Sequence, residues 1–401
     1  MRIGILTFHS QLNYDGVLQC WALQTVLGEM GHEVVVIDRR FDDFRSIHKS
    51  YFDLPLKAKC KSFFLSLLGA NDFATWQRAV RTNRFIKNGL HLTHYHFVEW
   101  KNAPSELGID LIVVGSDQVW HCGNWGDPRP YLLEDGPDIP AIAYAASLGM
   151  EKIPNEYEEC FVTDLSRFKC ISVREISALR LLSPFRQDIS VVFDPTLLVA
   201  PKEWMRLCDR TKKVRRKLVC YFVNDNEDSF MHHFDRFSAD NDYDVEVFMN
   251  LQHKSRISLR KPWRLLHVYR NRFRRNVKVR YDAGPEDFVK AFSEADAVIA
   301  DSFHALMFST IFRKNVRILR PKADWLVISF SRIKDFVDEF ISGPLIQGDI
   351  EEALASIERG EKISFNESAL NMRIEDSKQW LKNALEKCGI IDNEQCWAAW
   401  R

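Results

Sequence analysis

The sequence predicts an α/β protein of two Rossmann-like domains facing across a cleft, on three observations. At 401 residues the chain exceeds what one hydrophobic core usually organises. Its first forty residues read as strand, helix, strand, the order of a parallel βαβ unit. A second series of strands and helices begins at Leu218, after a basic and polar stretch from Thr211 to Lys217. The expected units are 1–210 as an N-terminal domain that contributes Arg174, 211–345 as a C-terminal domain, and 346–401 as closing helices.

The apolar, β-prone run Ile3 to Phe8 opens the first unit. A polar loop through Asn13-Tyr14-Asp15-Gly16 leads into a helical pattern over Val17 to Met30, which Gly31-His32 ends. Glu33 to Asp38 has buried-strand composition, residues 55–90 read as amphipathic helix, and Asp110 to Val114 returns to strand before Gly115-Ser116-Asp117. Ala141 to Ser147, Cys170 to Arg174 and Ser190 to Phe193 are further strands with helices between them, and Asp194-Pro195 punctuates the last. The second unit reads as a strand over Leu218 to Val223, helices over Glu227 to Ala239 and Pro285 to Ser293, and a strand over Ala297 to Ala300. A helix over Ser302 to Phe312 and a strand over Val316 to Leu319 follow, and helical patterns from Ser331 and over Ser368 to Lys387 close the chain.

Composition narrows the class. Apolar residues make up 46% and charged residues 27%, as in an ordinary globular protein and against global disorder. Lys+Arg and Asp+Glu both total 55, so net charge gives no drive toward nucleic acid or membrane. The nine cysteines are scattered and contain no Cys-x-x-Cys pair, which fits a reducing compartment and argues against a zinc site. The N-terminal apolar run is too short for a signal segment, and no run approaches the roughly 20 apolar residues of a membrane span. A cytoplasmic location is the expectation.

Open parallel sheets bind ligands at the carboxyl ends of their strands, so the polar strand ends are the candidate site. At Ala297-Val298-Ile299-Ala300-Asp301-Ser302-Phe303-His304 a buried-type strand delivers Asp, Ser and His to a helix start. Unpaired N–H groups there favour an anion, and an imidazole titrates near neutrality; taken alone, the segment reads first as a helix cap with a structural histidine. Ile171-Ser172-Val173-Arg174-Glu175 offers a guanidinium suited to carboxylate or phosphate, or an internal ion pair with a carboxylate such as Glu175. Gly115-Ser116-Asp117-Gln118-Val119-Trp120 combines Asp and Trp as sugar sites do, or forms a turn with a core tryptophan. The first β-to-α turn, Asn13 to Gln19, lacks Gly-x-Gly-x-x-Gly, so no dinucleotide fingerprint is present.

Taken in order, Gly4-Ile5-Leu6-Thr7-Phe8-His9, Asn13-Tyr14, Val17-Leu18-Gln19, Gly115 to Trp120, Tyr144-Ala145-Ala146-Ser147, Ser172-Val173-Arg174-Glu175, Asp194-Pro195-Thr196-Leu197-Leu198 and Asp301-Ser302-Phe303-His304 resemble the polysaccharide pyruvyl transferases. The resemblance implies a fold similar to the GT-B glycosyltransferases. It also implies transfer of pyruvate from phosphoenolpyruvate to a sugar or lipid-linked oligosaccharide of a cell-surface polysaccharide, such as a capsule or exopolysaccharide, commonly as a cyclic ketal. No cofactor and no metal are implied. His304 corresponds to the family's general acid and Arg174 to an arginine that holds the donor's anionic groups. Members often carry Arg two residues before the histidine; this chain has Ser302, which makes Arg332 a candidate donor cation beside Arg174 and Ser302. The family's Asn-Tyr-Gly turn reads Asn13-Tyr14-Asp15-Gly16 here, so Asp15 joins Asn13, Gln19, Ser116, Asp117 and Trp120 as expected acceptor contacts. The rival readings are a GT-B-type sugar-nucleotide glycosyltransferase and a non-catalytic glycan-binding homologue.

Lys254 to Arg280 holds eleven Lys or Arg and no Asp or Glu, with Trp263, Tyr269 and Phe273 between them. Such a local field predicts peripheral contact with an anionic membrane or a diphosphate-linked acceptor. Nucleic acid is the generic competitor, and a solvated loop and helix face is the plain alternative.

Overall fold

The computed structural model describes residues 1–10, 13–38, 56–57, 72–93, 106–123, 127–134, 136–208, 215–223, 230–249, 276–320 and 327–389. Two six-stranded sheets organise them. The first contains β1 (Arg2–Leu6), β2 (Glu33–Val36), β3 (Leu111–Val114), β4 (Ala141–Ala146), β5 (Cys170–Val173) and β6 (Ile189–Val191) in the order β2-β1-β3-β4-β5-β6. All pairs are parallel. The second contains β7 (Arg216–Phe222), β8 (Tyr243–Met249), β9 (Val277–Arg280), β10 (Ala297–Ala300) and β11 (Asn315–Leu319); after the short β12 (Ile341–Ser342) comes β13 (Ile346–Gln347), giving the order β13-β11-β10-β7-β8-β9. Its pairs are likewise parallel, while β12 pairs antiparallel with β14 (Ser364–Phe365).

Parallel strands covered on both faces are apolar throughout, as in Leu-Ile-Val-Val of β3 and Ala-Val-Ile-Ala of β10, where every residue is buried. One continuous apolar core joins the inner faces of both sheets, with separate apolar layers behind the first and the second. Tyr14 shows how tightly the halves meet: its ring stacks on Phe288 at 4.8 Å and its hydroxyl donates to the Ala283 carbonyl at 3.1 Å. Trp204 bridges similarly, meeting Trp21 at 4.8 Å and Phe308 at 4.9 Å. The last helix, Glu367–Lys387, returns to the first sheet, where Ser377 Oγ accepts from Phe193 N at 2.9 Å.

Each sheet reverses its strand order once, between β1 and β3 in the first and between β7 and β10 in the second. Such switch points open a crevice at the strand carboxyl ends. The loops after β1, β3 and β10 carry three of the four candidate motifs.

The structure departs from the sequence reading in three places. The first helix starts at Tyr14, three residues before Val17, because Asn13 Oδ1 accepts from Asp15 N and Asp15 lies favourably in the first turn. Strands β8 and β9 are additions; β8 places Asp244 and Glu246 among its apolar residues, and these pair with Arg215, Lys217 and Arg280. The basic run ends inside the fold: Arg280 closes β9 and ion-pairs with Glu246 at 3.3 Å, Asp282 at 3.3 Å and Asp287 at 3.1 Å. It is therefore internal charge and not a membrane-facing residue. Residues 251–275 of that run lie outside the described residues.

Candidate active site

On the first-sheet side, the loop after β1 is locked to the loop after β3. Thr7 Oγ1 donates to Ser116 O at 2.8 Å, and Gln19 Nε2 donates to Thr7 Oγ1, Phe8 O and Gly16 O at 3.0, 3.2 and 2.9 Å. Gly115 takes φ 105°, and a Cβ there would lie 2.4 Å from the Tyr144 carbonyl oxygen, so only glycine fits. Asp117, at φ 72°, turns the chain back to Ala146 on β4. At this point β4 shifts register, and Ser172 Oγ fills the irregularity by donating to Ala143 O and accepting from Ala145 N.

Asp194 is the hub of the charged groups. Its Oδ1 accepts from Thr196 N at 3.0 Å and Thr196 Oγ1 at 2.7 Å, capping the turn Pro195–Leu198. Its Oδ2 accepts from Arg174 Nη1 at 2.8 Å and Ser116 Oγ at 3.1 Å. Burial raises a carboxyl pKa, yet His304 and Arg174 hold Asp194 well below the carboxylate range. Arg174 also lies 3.6 Å from Asp117 and 3.8 Å from Glu175. Glu175 Oε1 in turn accepts from Ser147 Oγ, Leu148 N and Gly149 N.

On the second-sheet side, Asp301 Oδ1 accepts from Val223 N at 2.7 Å and ties the ends of β10 and β7 together. Ser302 is the N-cap residue of helix Phe303–Ile311, without a side-chain cap bond, and His304 stands in the first turn. His304 Nδ1 is 3.5 Å from Asp15 Oδ2, and Nε2 is 3.7 Å from Asp194 Oδ2. Burial pushes an imidazole toward neutrality, but Asp15 and Asp194 outweigh it and raise His304 to about 9. At neutral pH it is an imidazolium, a loaded proton donor. Two guanidiniums lie against the ring of Phe303 beside it, Arg174 at 4.8 Å and Arg332 at 5.6 Å from its centroid. Burial lowers the pKa of Arg332, as does nearby Arg174, while Glu175, Asp117 and Asp15 oppose the change. From the loop after β3 of the first sheet, His121 approaches Arg332, and burial with that charge lowers its pKa to about 4.

The fold thus brings together Asp15, Ser116, Asp117, Arg174, His304 and Arg332 from the sequence reading. Three expectations need correction. Trp120 is fully buried, its Nε1 donates to Tyr131 O at 3.1 Å, and Phe168 meets its ring at 5.7 Å, so it supports the loop from the core and offers no face to a sugar. Gln19 and Ser116 are fully buried, with the Gln19 amide N–H groups and the Ser116 hydroxyl committed to internal partners, and they hold loops where acceptor contact was expected. Arg174 has a side chain only 1% exposed and bonded to Asp194, so the ion-pair reading holds, with Asp194 in place of Glu175 as the main partner. Asn13 is half-buried at the helix start, and Ser302 is buried at its cap. Asp194, Phe303 and His121 were not anticipated as site residues; Asp194 and Phe303 stood inside the ordered motifs, where Asp194-Pro195 reads first as a turn and Phe303 as spacer before His304.

Among the described residues no group of three or more His, Cys, Asp or Glu could hold a metal ion, and no helix is long and apolar enough to cross a membrane.

Two parallel sheets, with charged residues from the strand ends of both between them, define a fold of the GT-B type. The chain belongs to the polysaccharide pyruvyl transferase family, whose model matches residues 16–322. It is therefore a transferase of polysaccharide biosynthesis with a sugar or polysaccharide acceptor. Among solved structures it is similar to the UDP-GlcNAc 2-epimerase of Methanocaldococcus jannaschii, with 11% identity, TM-score 0.51, and coverage of 90% of this chain and 92% of that one. The UDP-GlcNAc 2-epimerase of Neisseria meningitidis bound to UDP-GlcNAc gives 10% identity, TM-score 0.50, and coverage of 96% and 100%. At such identities the likeness is one of fold alone. Comparison with curated proteins gives no significant match.

Proposed function

We propose that this enzyme moves the pyruvyl group of phosphoenolpyruvate onto two hydroxyls of a sugar, forming a cyclic ketal, with His304 as the general acid. The carrying observation is the buried imidazole bracketed by Asp15 and Asp194 at 3.5 and 3.7 Å, which keep it protonated. In the first step an N–H of His304 gives its proton to the methylene carbon, and a sugar hydroxyl bonds to the adjacent carbon as its own proton returns to the imidazole. In the second, phosphate leaves with its bonding electron pair, a second hydroxyl attacks, and the proton of that hydroxyl departs with phosphate. General acid catalysis of this kind contributes roughly 10²–10⁴-fold.

Donor binding falls to Arg332, which is only half-buried and lies against the ring of Phe303. It supplies the cation that Ser302 does not. Arg174 acts one step behind, as fixed positive charge that orders Asp194 and favours the departing phosphate. Of the expected acceptor contacts, Asn13 has the surface to meet a sugar. A glycolytic donor fits a cytoplasmic enzyme. The test is phosphate release from phosphoenolpyruvate, which should require the matching glycan and vanish in His304→Ala while the far-UV spectrum stays native. An active His304→Ala enzyme would remove the reading, as would thermal stabilisation by a nucleotide sugar and none by phosphoenolpyruvate.

A further inference from the structure

His304 belongs to the second sheet, yet both carboxylates beside it come from the first half of the chain. Asp15 lies in the first turn of helix Tyr14–Glu29, and Asp194 follows β6. The two are not equivalent. Asp194 is saturated: Arg174 and Ser116 occupy Oδ2, and Thr196 occupies Oδ1 twice. A bonded guanidinium already balances its charge before His304 is counted. Asp15 makes one ion pair among the described residues, with His304, and its Oδ1 is buried without a hydrogen-bond partner. A carboxylate so placed acts on the imidazole with little screening by water.

We propose that Asp15 is the positioning residue of this site, keeping His304 charged from across the cleft, so that the acid is loaded only while the two sheets are closed on each other. The inference rests on His304 being the acid of the proposed reaction. It agrees with the balance of forces on the imidazole, where burial alone favours the neutral ring and Asp15 is the first of the groups that reverse this, ahead of Asp194. Among the described residues, other charged or titratable groups around the pair include Asp117 after β3, Arg174 and Glu175 after β5, Tyr221 on β7, Asp301 after β10 and Arg332 on helix Val327–Phe340. All of these stay in place when Asp15 alone is changed, so the comparison isolates its charge.

The experiment is an NMR pH titration of the His304 imidazole in full-length wild type, Asp15→Asn and Asp15→Glu, with the resonance assigned by its loss in His304→Gln. Wild type should hold its proton to about 9. Asp15→Asn should release it at least about tenfold more readily, and Asp15→Glu should recover most of the difference. The alkaline limb of kcat for phosphate release should move to lower pH by a matching amount in Asp15→Asn, with KM for phosphoenolpyruvate nearly constant. A folded Asp15→Asn protein with an unchanged midpoint overturns the proposal. If that variant does not fold, the wild-type titration decides: a midpoint at or below the ordinary value of about 6.5 overturns it equally. A shifted midpoint in a protein that releases no phosphate from phosphoenolpyruvate would leave the charge coupling standing and remove the donor reading.

Discussion

At the scale of residues, the site is a set of charges that correct one another. A buried imidazole, left to itself, is neutral and a poor acid at physiological pH. Asp15 and Asp194 make His304 cationic, Arg174 neutralises Asp194, and Arg332 feels the carboxylates Glu175, Asp117 and Asp15. Under the proposed reaction the two arginines differ in role. Replacing Arg332 with Gln should raise KM for phosphoenolpyruvate by about tenfold or more while kcat falls less, because a charge-assisted contact to a phosphate or carboxylate is worth roughly 1.5–3 kcal/mol. Arg332→Lys should recover only part of this, since an ammonium lacks the planar fork. Steady-state kinetics on phosphate release decide it, and an unchanged KM would place the donor elsewhere. The sequence order made His304 and Arg174 readable. It could not show Asp194 as the hub, because that role exists only once β5, β6 and helix Phe303–Ile311 converge.

At the scale of elements, strands buried on both faces announce themselves as unbroken Val, Ile, Leu and Ala runs, which is why β1 to β5, β10 and β11 were readable within two or three residues. Strand β9 was hidden because Val277-Lys278-Val279-Arg280 ends a basic run, and charge masked its alternation. Trp120 was misread for a related reason. Asp beside Trp is the composition of a sugar site, and composition cannot tell whether a loop turns its aromatic ring outward or inward. Here the backbone turn at Asp117, φ 72°, sends the indole into the layer containing Phe161 and Phe168. Trp120→Ala should therefore destabilise the protein by about 3–5 kcal/mol, read as a lower urea midpoint. A sugar-stacking tryptophan would instead cost acceptor affinity at unchanged stability, and that outcome would restore the original expectation.

At the scale of the whole molecule, the two sheets share one core, and the ion pairs of His304 with Asp15 and Asp194 span the same boundary. That coupling has a pH signature with a definite sign. His304 has a folded pKa of about 9, above its ordinary value of about 6.5. Its ion pairs therefore contribute stability that is fully present below about 6.5 and is lost as pH rises through about 9. The size is up to about 3 kcal/mol by linkage. Asp194, depressed by His304 and Arg174, contributes in the opposite sense, with stability lost only as acid titrates it. His121, kept neutral by burial, also acts on the acid side, since protonating it below about 6.5 favours unfolding. Neither group touches the alkaline window. Denaturant unfolding at pH 6 and pH 9.5 should show wild type losing stability that His304→Gln, already lacking the pair, does not lose. The interaction lost lies between the halves, so hydrogen exchange at pH 9.5 should quicken first where they meet, in helix Tyr14–Glu29 and helix Phe303–Ile311, before the strands of either sheet. Equal pH slopes in wild type and His304→Gln would show that the charge on His304 plays no part in holding the two halves together.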